Sequence, residues 1–129
     1  MQVKKLTPNL IVRNVEASLK FYSKILGLEK AFSVPDQSPY VFAAAVNGAV
    51  EVFFNDQKTV GHEYSALAKT IGASLTLYIE VDDLQAVLAR VQIADAKITM
   101  PVIDQFYGMK EFAFEDGDGY TITIAQKIG

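Results

Sequence analysis

The sequence predicts an α+β fold made of two β-α-β-β-β units in tandem. Three observations predict it. Two helix-periodic segments, at 15–26 and 84–91, each follow one strand-like run and precede several more. A shift of 69 positions lays Leu6, Thr7, Val12, Ala17 and Leu19 on Leu75, Thr76, Val81, Ala86 and Leu88, as an internal duplication does. Between the repeats, residues 56–72 break the pattern and read as a linker, so the first module is expected at 1–55 and the second at 73–129 of one compact domain.

The elements follow in order. At 5–13, Leu6, Pro8, Leu10 and Val12 alternate with Thr7, Asn9 and Ile11, which predicts a strand with one buried face. Asn14 reads as a helix N-cap. Val15, Leu19, Tyr22 and Leu26 then recur at helical spacing, with Phe21 and Ile25 beside them, and Gly27 closes the helix. Strands are expected at 28–34, 40–46 and 49–55, the last two joined by a tight turn at Asn47-Gly48. A short helix is expected near 64–69.

The pattern restarts with Leu75, Leu77, Ile79 and Val81 alternating with Thr76, Tyr78 and Glu80. Asp82 with Gln85 resembles a capping box, and Leu84, Val87, Leu88 and Val91 form the apolar face of the second helix. A short strand at 97–100 stops at Pro101, and strands at 110–115 and 120–126 flank an Asp-Gly-Asp-Gly turn. Asp118-Gly119 takes the hairpin role of Asn47-Gly48 at an offset of 71.

Composition narrows the chemistry. The 129 residues are 50% hydrophobic and 21% charged, a globular mix. The net charge of −3 disfavours nucleic acid, which wants a basic patch. No run approaches the roughly 18 apolar residues of a membrane span. The N-terminal run lacks a signal-peptide core, so a cytoplasmic location is expected. One His (His62) and no Cys leave no thiolate zinc site, no catalytic cysteine, no disulfide framework and no two-His iron site. His62 falls in the linker and reads as a surface or inter-module histidine. Asp116 and Asp118 lack the later acid of a calcium loop and read as a turn.

Strand alternation sorts residues onto two faces. Leu6, Leu10, Val12, Val50, Val52, Phe54, Leu77, Ile79, Val81, Phe112, Phe114, Ile122 and Ile124 make an apolar face for the helices. Thr7, Asn9, Glu51, Phe53, Thr76, Tyr78, Glu80, Glu111, Thr121 and Thr123 make the other. That mixed face fits either a solvated sheet surface or a ligand cleft.

The segment Thr7-Pro-Asn-Leu-Ile-Val-Arg-Asn-Val-Glu-Ala-Ser-Leu-Lys-Phe-Tyr-Ser-Lys-Ile-Leu-Gly-Leu-Glu resembles the opening of vicinal oxygen chelate proteins, among them glyoxalase I, extradiol dioxygenases, and the bleomycin- and fosfomycin-resistance proteins. Tyr107-Gly-Met-Lys-Glu-Phe-Ala-Phe-Glu-Asp-Gly-Asp-Gly-Tyr resembles their closing strand, turn and strand, with Gly117 where many relatives carry Pro. The stretch at 74–83 resembles the start of the second unit. The resemblance implies paired modules whose open, curled mixed sheets surround a cleft, with the helices outside.

The family's enzymes hold a divalent metal through His or Gln and then Glu in each module. Those positions align with Thr7, Glu51, Thr76 and Thr123, so only Glu51 keeps a ligand-type side chain. The resemblance is therefore to the metal-free, bleomycin-resistance-like members, whose Arg/Lys-Glu-Phe-Ala step matches Lys110-Glu111-Phe112-Ala113. It implies a homodimer that binds a drug-like small molecule, as in antibiotic resistance, with no metal and no cofactor.

Ligand-binding residues are then expected at Thr7, Asn9, Glu51, Phe53, Thr76, Tyr78, Phe106, Tyr107, Glu111 and Thr123. Carboxylates at Glu51, Glu80 and Glu111, beside aromatic rings, fit a cationic aromatic ligand. The alternative is a glyoxalase-like lyase or isomerase, or another small-molecule enzyme, with Glu51 as general base.

Overall fold

The computed structural model describes residues 1–60, 64, 70–72 and 75–129. The chain divides into two units, Met1–Thr70 and Ile71–Gly129. His62 lies outside the described residues, as does the helix expected near 64–69 apart from Tyr64.

In the first unit β1 (Asn9–Val12), α1 (Val15–Leu26), β2 (Glu29–Val34), β3 (Phe42–Asn47), β4 (Val50–Asp56) and α2 (Gln57–Val60) follow one another. The sheet order is β1-β4-β3-β2. β1 runs parallel to β4, and the other pairs are antiparallel.

α1 starts where the Asn14 side chain accepts the Ala17 N–H at 2.7 Å. It ends at Gly27, whose φ of +65° lets its N–H return to the Ser23 carbonyl at 3.0 Å. Its buried stripe is Val15, Ser18, Tyr22 and Ile25, with Leu19 and Leu26 at the margin. The stripe packs on Leu10, Val12, Ala43, Ala45, Val52 and Phe54, all buried. Tyr22 lies 5.1 Å from Phe54 between ring centroids. Glu16, in the first turn, accepts from Ser38 Oγ and from the Tyr40 N–H, pinning the β2–β3 loop to the helix. The Ser38 hydroxyl holds the Glu16 carboxyl below its usual range, against an opposing effect of burial.

The second unit contains β5 (Thr76–Glu80), α3 (Leu84–Ile93), β6 (Ile98–Asp104), β7 (Met109–Glu115) and β8 (Thr121–Lys127). Its order, β5-β8-β7-β6, repeats that of the first, again with the first strand parallel to the last. Leu84, Val87 and Val91 of α3 are buried on the same side as Phe112, Phe114, Ile122 and Ile124. Thus the expected α+β fold is present: two open four-stranded mixed sheets with a long helix against each. Among the described residues, no helix is long and apolar enough to cross a membrane.

Several expectations need correction. The first strand begins at Asn9, not near residue 5, and Leu6 is 86% exposed. Pro8 lacks an N–H for a ladder, although its carbonyl still accepts from Phe53 N at 2.9 Å. The hairpin turn is Gly48-Ala49, with Asn47 paired to Val50 as the last residue of β3. Asn47 instead donates its side-chain amide to the Leu26 carbonyl at 2.8 Å, covering an open group at the end of α1.

In the second unit the loop joining β7 to β8 runs from 116 to 120, so the two hairpins are not equivalent. Asp116 organises it, accepting the N–H groups of Asp118 and Tyr120 at 2.9 Å each. The cap of α3 is Asp83, which accepts the Ala86 N–H at 3.1 Å. Gln85 therefore sits one position too early for a capping box, and Gln126 accepts the Leu84 N–H instead. β6 continues through Pro101 to Asp104. Proline is tolerated there because β6 is an edge strand and its register shifts between Met100 and Ile103.

Candidate functional site

The face of each sheet opposite its long helix carries the polar and aromatic residues. In the first unit, strand register puts Asn9, Glu51, Phe53 and Asn55 on this face with Phe42, Ala44 and Val46 of β3. β2 adds Phe32 and Val34.

Glu51 accepts the Thr7 hydroxyl at 3.0 Å, and Lys5 Nζ lies 2.6 Å from the same carboxylate oxygen. The Lys5 ammonium first, then the Thr7 hydroxyl, hold the Glu51 carboxyl below the usual carboxylate range, against a smaller effect of burial. Asn9 and Asn55 hydrogen-bond through their side-chain amides. Beyond them Phe53, Phe42 and Phe32 form a row of edge-to-face rings, with centroids 5.2 and 6.1 Å apart.

The second unit offers hydroxyls and a buried acid. Thr76 pairs with Thr121 along the ladder, but its hydroxyl meets that of Thr123 at 2.7 Å. Register adds Tyr78, Glu80 and Ala125, with Glu111 and Ala113 of β7. Glu111 is only 3% exposed. Its Oε2 accepts from Tyr78 Oη, and its Oε1 accepts from Tyr107 Oη at 2.8 Å and Gln105 Nε2 at 3.4 Å.

The bond to Glu111 is the largest cause pushing the Tyr78 hydroxyl up to about 12, and it raises Tyr107 as well. Both rings remain about half exposed, at 52% and 51%. Phe106, at the tip of the β6–β7 hairpin, is 98% exposed and stacks edge-on against Tyr107 at 5.1 Å.

The expected residues thus gather within each unit. Thr7, Asn9, Glu51 and Phe53 share one face of the first sheet. Thr76, Tyr78, Glu111 and Thr123 share one face of the second, with Tyr107 reaching in from the hairpin. Lys5, Phe32, Phe42 and Gln105 are additions that alternation over single strands did not reveal. The available signal for Phe42 was the expected two-residue hairpin, since a turn at 47–48 or at 48–49 alike puts Phe42 on the face of Glu51 and Phe53.

The donor set was tested against the divalent metal of the family's enzymes. Glu51 is neutralised by Lys5, and the Thr76 and Thr123 hydroxyls bond each other. One paired carboxylate and three hydroxyls do not fit zinc, nickel or iron, which take imidazole or several anionic donors. Among the described residues no group of three His, Cys, Asp or Glu side chains comes together.

Comparisons with known proteins agree on family and fold. No curated protein matches the sequence. TioX from Micromonospora sp. ML1 superposes with a TM-score of 0.77 at 14% identity, covering 98% of this chain and 100% of that one. A glyoxalase/bleomycin resistance protein/dioxygenase family enzyme from Burkholderia phytofirmans PsJN gives 0.76 at 20% identity, covering 95% and 97%. The fosfomycin resistance protein FosX from Listeria monocytogenes gives 0.73 at 11% identity, covering 98% and 94%. At such identities these likenesses concern the fold alone. The sequence model of the Glyoxalase/Bleomycin resistance protein/Dioxygenase superfamily matches residues 5–124, nearly the whole chain, and the protein belongs to that superfamily.

Proposed function

We propose that this chain is a metal-independent binding protein for a flat, drug-like small molecule that carries positive charge. The observation that supports this most is what stands at the four aligned metal positions. Thr7 and Lys5 engage Glu51, while Thr76 and Thr123 engage each other. These groups satisfy one another through hydrogen bonds and an ion pair. On the face of the first sheet that carries Glu51, Phe32, Phe42 and Phe53 offer ring edges and faces of the kind that hold aromatic ligands. Thr7, Asn9, Glu51, Phe53, Thr76, Tyr78, Phe106, Tyr107, Glu111 and Thr123 are the residues proposed to form the site.

The competing reading makes Glu51 a general base. A carboxylate held below its usual range by Lys5 is a weaker base than an ordinary glutamate, which favours binding over proton abstraction. The wholly exposed Phe106 fits a homodimer contact as well as a ligand contact, so a two-chain assembly is part of the proposal.

The test is calorimetric titration with bleomycin, fosfomycin and a hemithioacetal, each with and without zinc or nickel, after measuring metal in the purified protein. We expect substoichiometric metal and binding of bleomycin, the cationic one of the three, that a chelator leaves unchanged. Phe53→Ala should weaken that binding roughly tenfold, the order expected for loss of one aromatic contact. Stoichiometric tight metal, or turnover of the hemithioacetal, overturns the proposal.

A further inference from the structure

We propose that the ligand's positive charge is read in the second unit, by Tyr78 and Tyr107 acting for the buried carboxylate of Glu111, and not by Glu51. The inference rests on the binding reading above and assigns its charged end to one place.

Strand register puts Glu51, Glu80, Glu111 and Glu115 on the sheet faces opposite the helices, and their charges are differently disposed of; Glu115 has Lys97 at 3.7 Å. Glu51 has Lys5 at 2.6 Å. Glu80 has Lys127 at 3.9 Å. Among the described residues no cation pairs with Glu111. Its hydrogen-bond partners are two phenols and an amide, all neutral. A carboxylate buried to 3% exposure without a counter-ion projects a field that little solvent screens.

Hydrogen-bond accounting then sets the kind of group that can answer it. A phenol has one proton to donate. Tyr78 and Tyr107 both give theirs to Glu111, so each phenolic oxygen presents only acceptor lone pairs to a ligand. The half-exposed rings add their negative faces, which favour cations. Glu111 itself is too buried to be touched, so the two tyrosines carry its influence outward. A ligand acceptor such as a carbonyl or carboxylate finds lone pairs facing lone pairs and is rejected. An ammonium, amidinium or ring-bound amino cation supplies the missing donors and the missing charge.

The experiment compares two fluorescent probes of similar shape, proflavine, a cation at neutral pH, and acridine, neutral there. Affinities are measured for the wild type, for Tyr78→Phe combined with Tyr107→Phe, for Glu111→Gln and for Glu51→Gln, with folding checked by circular dichroism. The phenylalanine pair keeps both rings but takes two donors from the buried Glu111 carboxylate, whereas Glu111→Gln removes the charge and keeps an acceptor oxygen, so either variant remains informative if the other fails to fold. The wild type should prefer proflavine. The tyrosine pair variant and Glu111→Gln should each lower that preference roughly tenfold, about the worth of one charge-assisted contact, with acridine binding kept. Glu51→Gln should change the two affinities alike, so that their ratio holds.

A preference unchanged in the tyrosine pair variant, or abolished by Glu51→Gln, overturns the assignment while leaving the binding reading intact. Failure of both probes to bind the wild type overturns both.

Discussion

The two units share a strand order and a helix position, and they differ on the sheet face turned away from the helix. Under the helices both are built alike, with Leu10, Val12, Val52 and Phe54 in one and Phe112, Phe114, Ile122 and Ile124 in the other, all buried. On the opposite faces, a row of three phenylalanines beside a neutralised Glu51 contrasts with hydroxyls around Glu111, which has no cation partner among the described residues. Packing against a helix constrains volume and shape tightly, so the cores resemble each other. The opposite faces are free of that constraint, and there the two sheets differ.

The largest effects should test the likeness. Phe54→Ala and Phe114→Ala each remove a fully buried ring, and each should cost about 3–5 kcal/mol in chemical denaturation. A loss in one unit with little in the other would break the picture of matched cores. The next effect should expose the difference. Glu111→Leu strips the acceptors from Tyr78, Tyr107 and Gln105, and should cost about 1–3 kcal/mol by the same measurement. Glu51→Gln should cost less, because Lys5 is 62% exposed and the pair is screened by water.

The smallest effect concerns pH, and here the halves should respond at opposite ends. Glu51 titrates low in the fold, so its contribution is present above the ordinary glutamate range and is lost as pH falls through its lowered value. Tyr78 is raised from 10.0 to about 12, so its contribution is complete below pH 10 and is lost as pH rises toward about 12. Amide chemical shifts followed across pH should move first around Thr7 and Glu51 in acid, and around Tyr78 and Tyr107 in alkali. Movement of both regions together at one extreme would contradict the separate origins of the two shifts.

Much of this was legible in the residues. The α1 cap at Asn14 and its stop at Gly27 are local chemistry, and local chemistry is what a sequence displays. Alternation placed Glu51, Phe53, Tyr78 and Glu111 on the correct faces, since every second residue of a strand shares a side. Errors arose where partners are distant or alternation fails. The shift in β2 between Lys30 and Phe32 breaks its period, so Phe32 could not be assigned by counting. Asp83 caps α3 through the Ala86 N–H, and the Leu84 N–H is met by Gln126, more than forty residues on, a partner that local spacing does not display. Lys5 bonds Glu51 across 46 positions, and no spacing rule links such residues.

Gly72 bears on how the protein can be dissected. With φ at +77°, it lies against the β7–β8 loop, and a Cβ there would come within 2.8 Å of the Asp118 carbonyl oxygen. No side chain can occupy that point without moving backbone. The second unit therefore starts before its first strand. A fragment cut at Thr76 would leave the Asp118–Gly119 stretch without its neighbour, whereas one beginning at Ile71 would carry the contact with it.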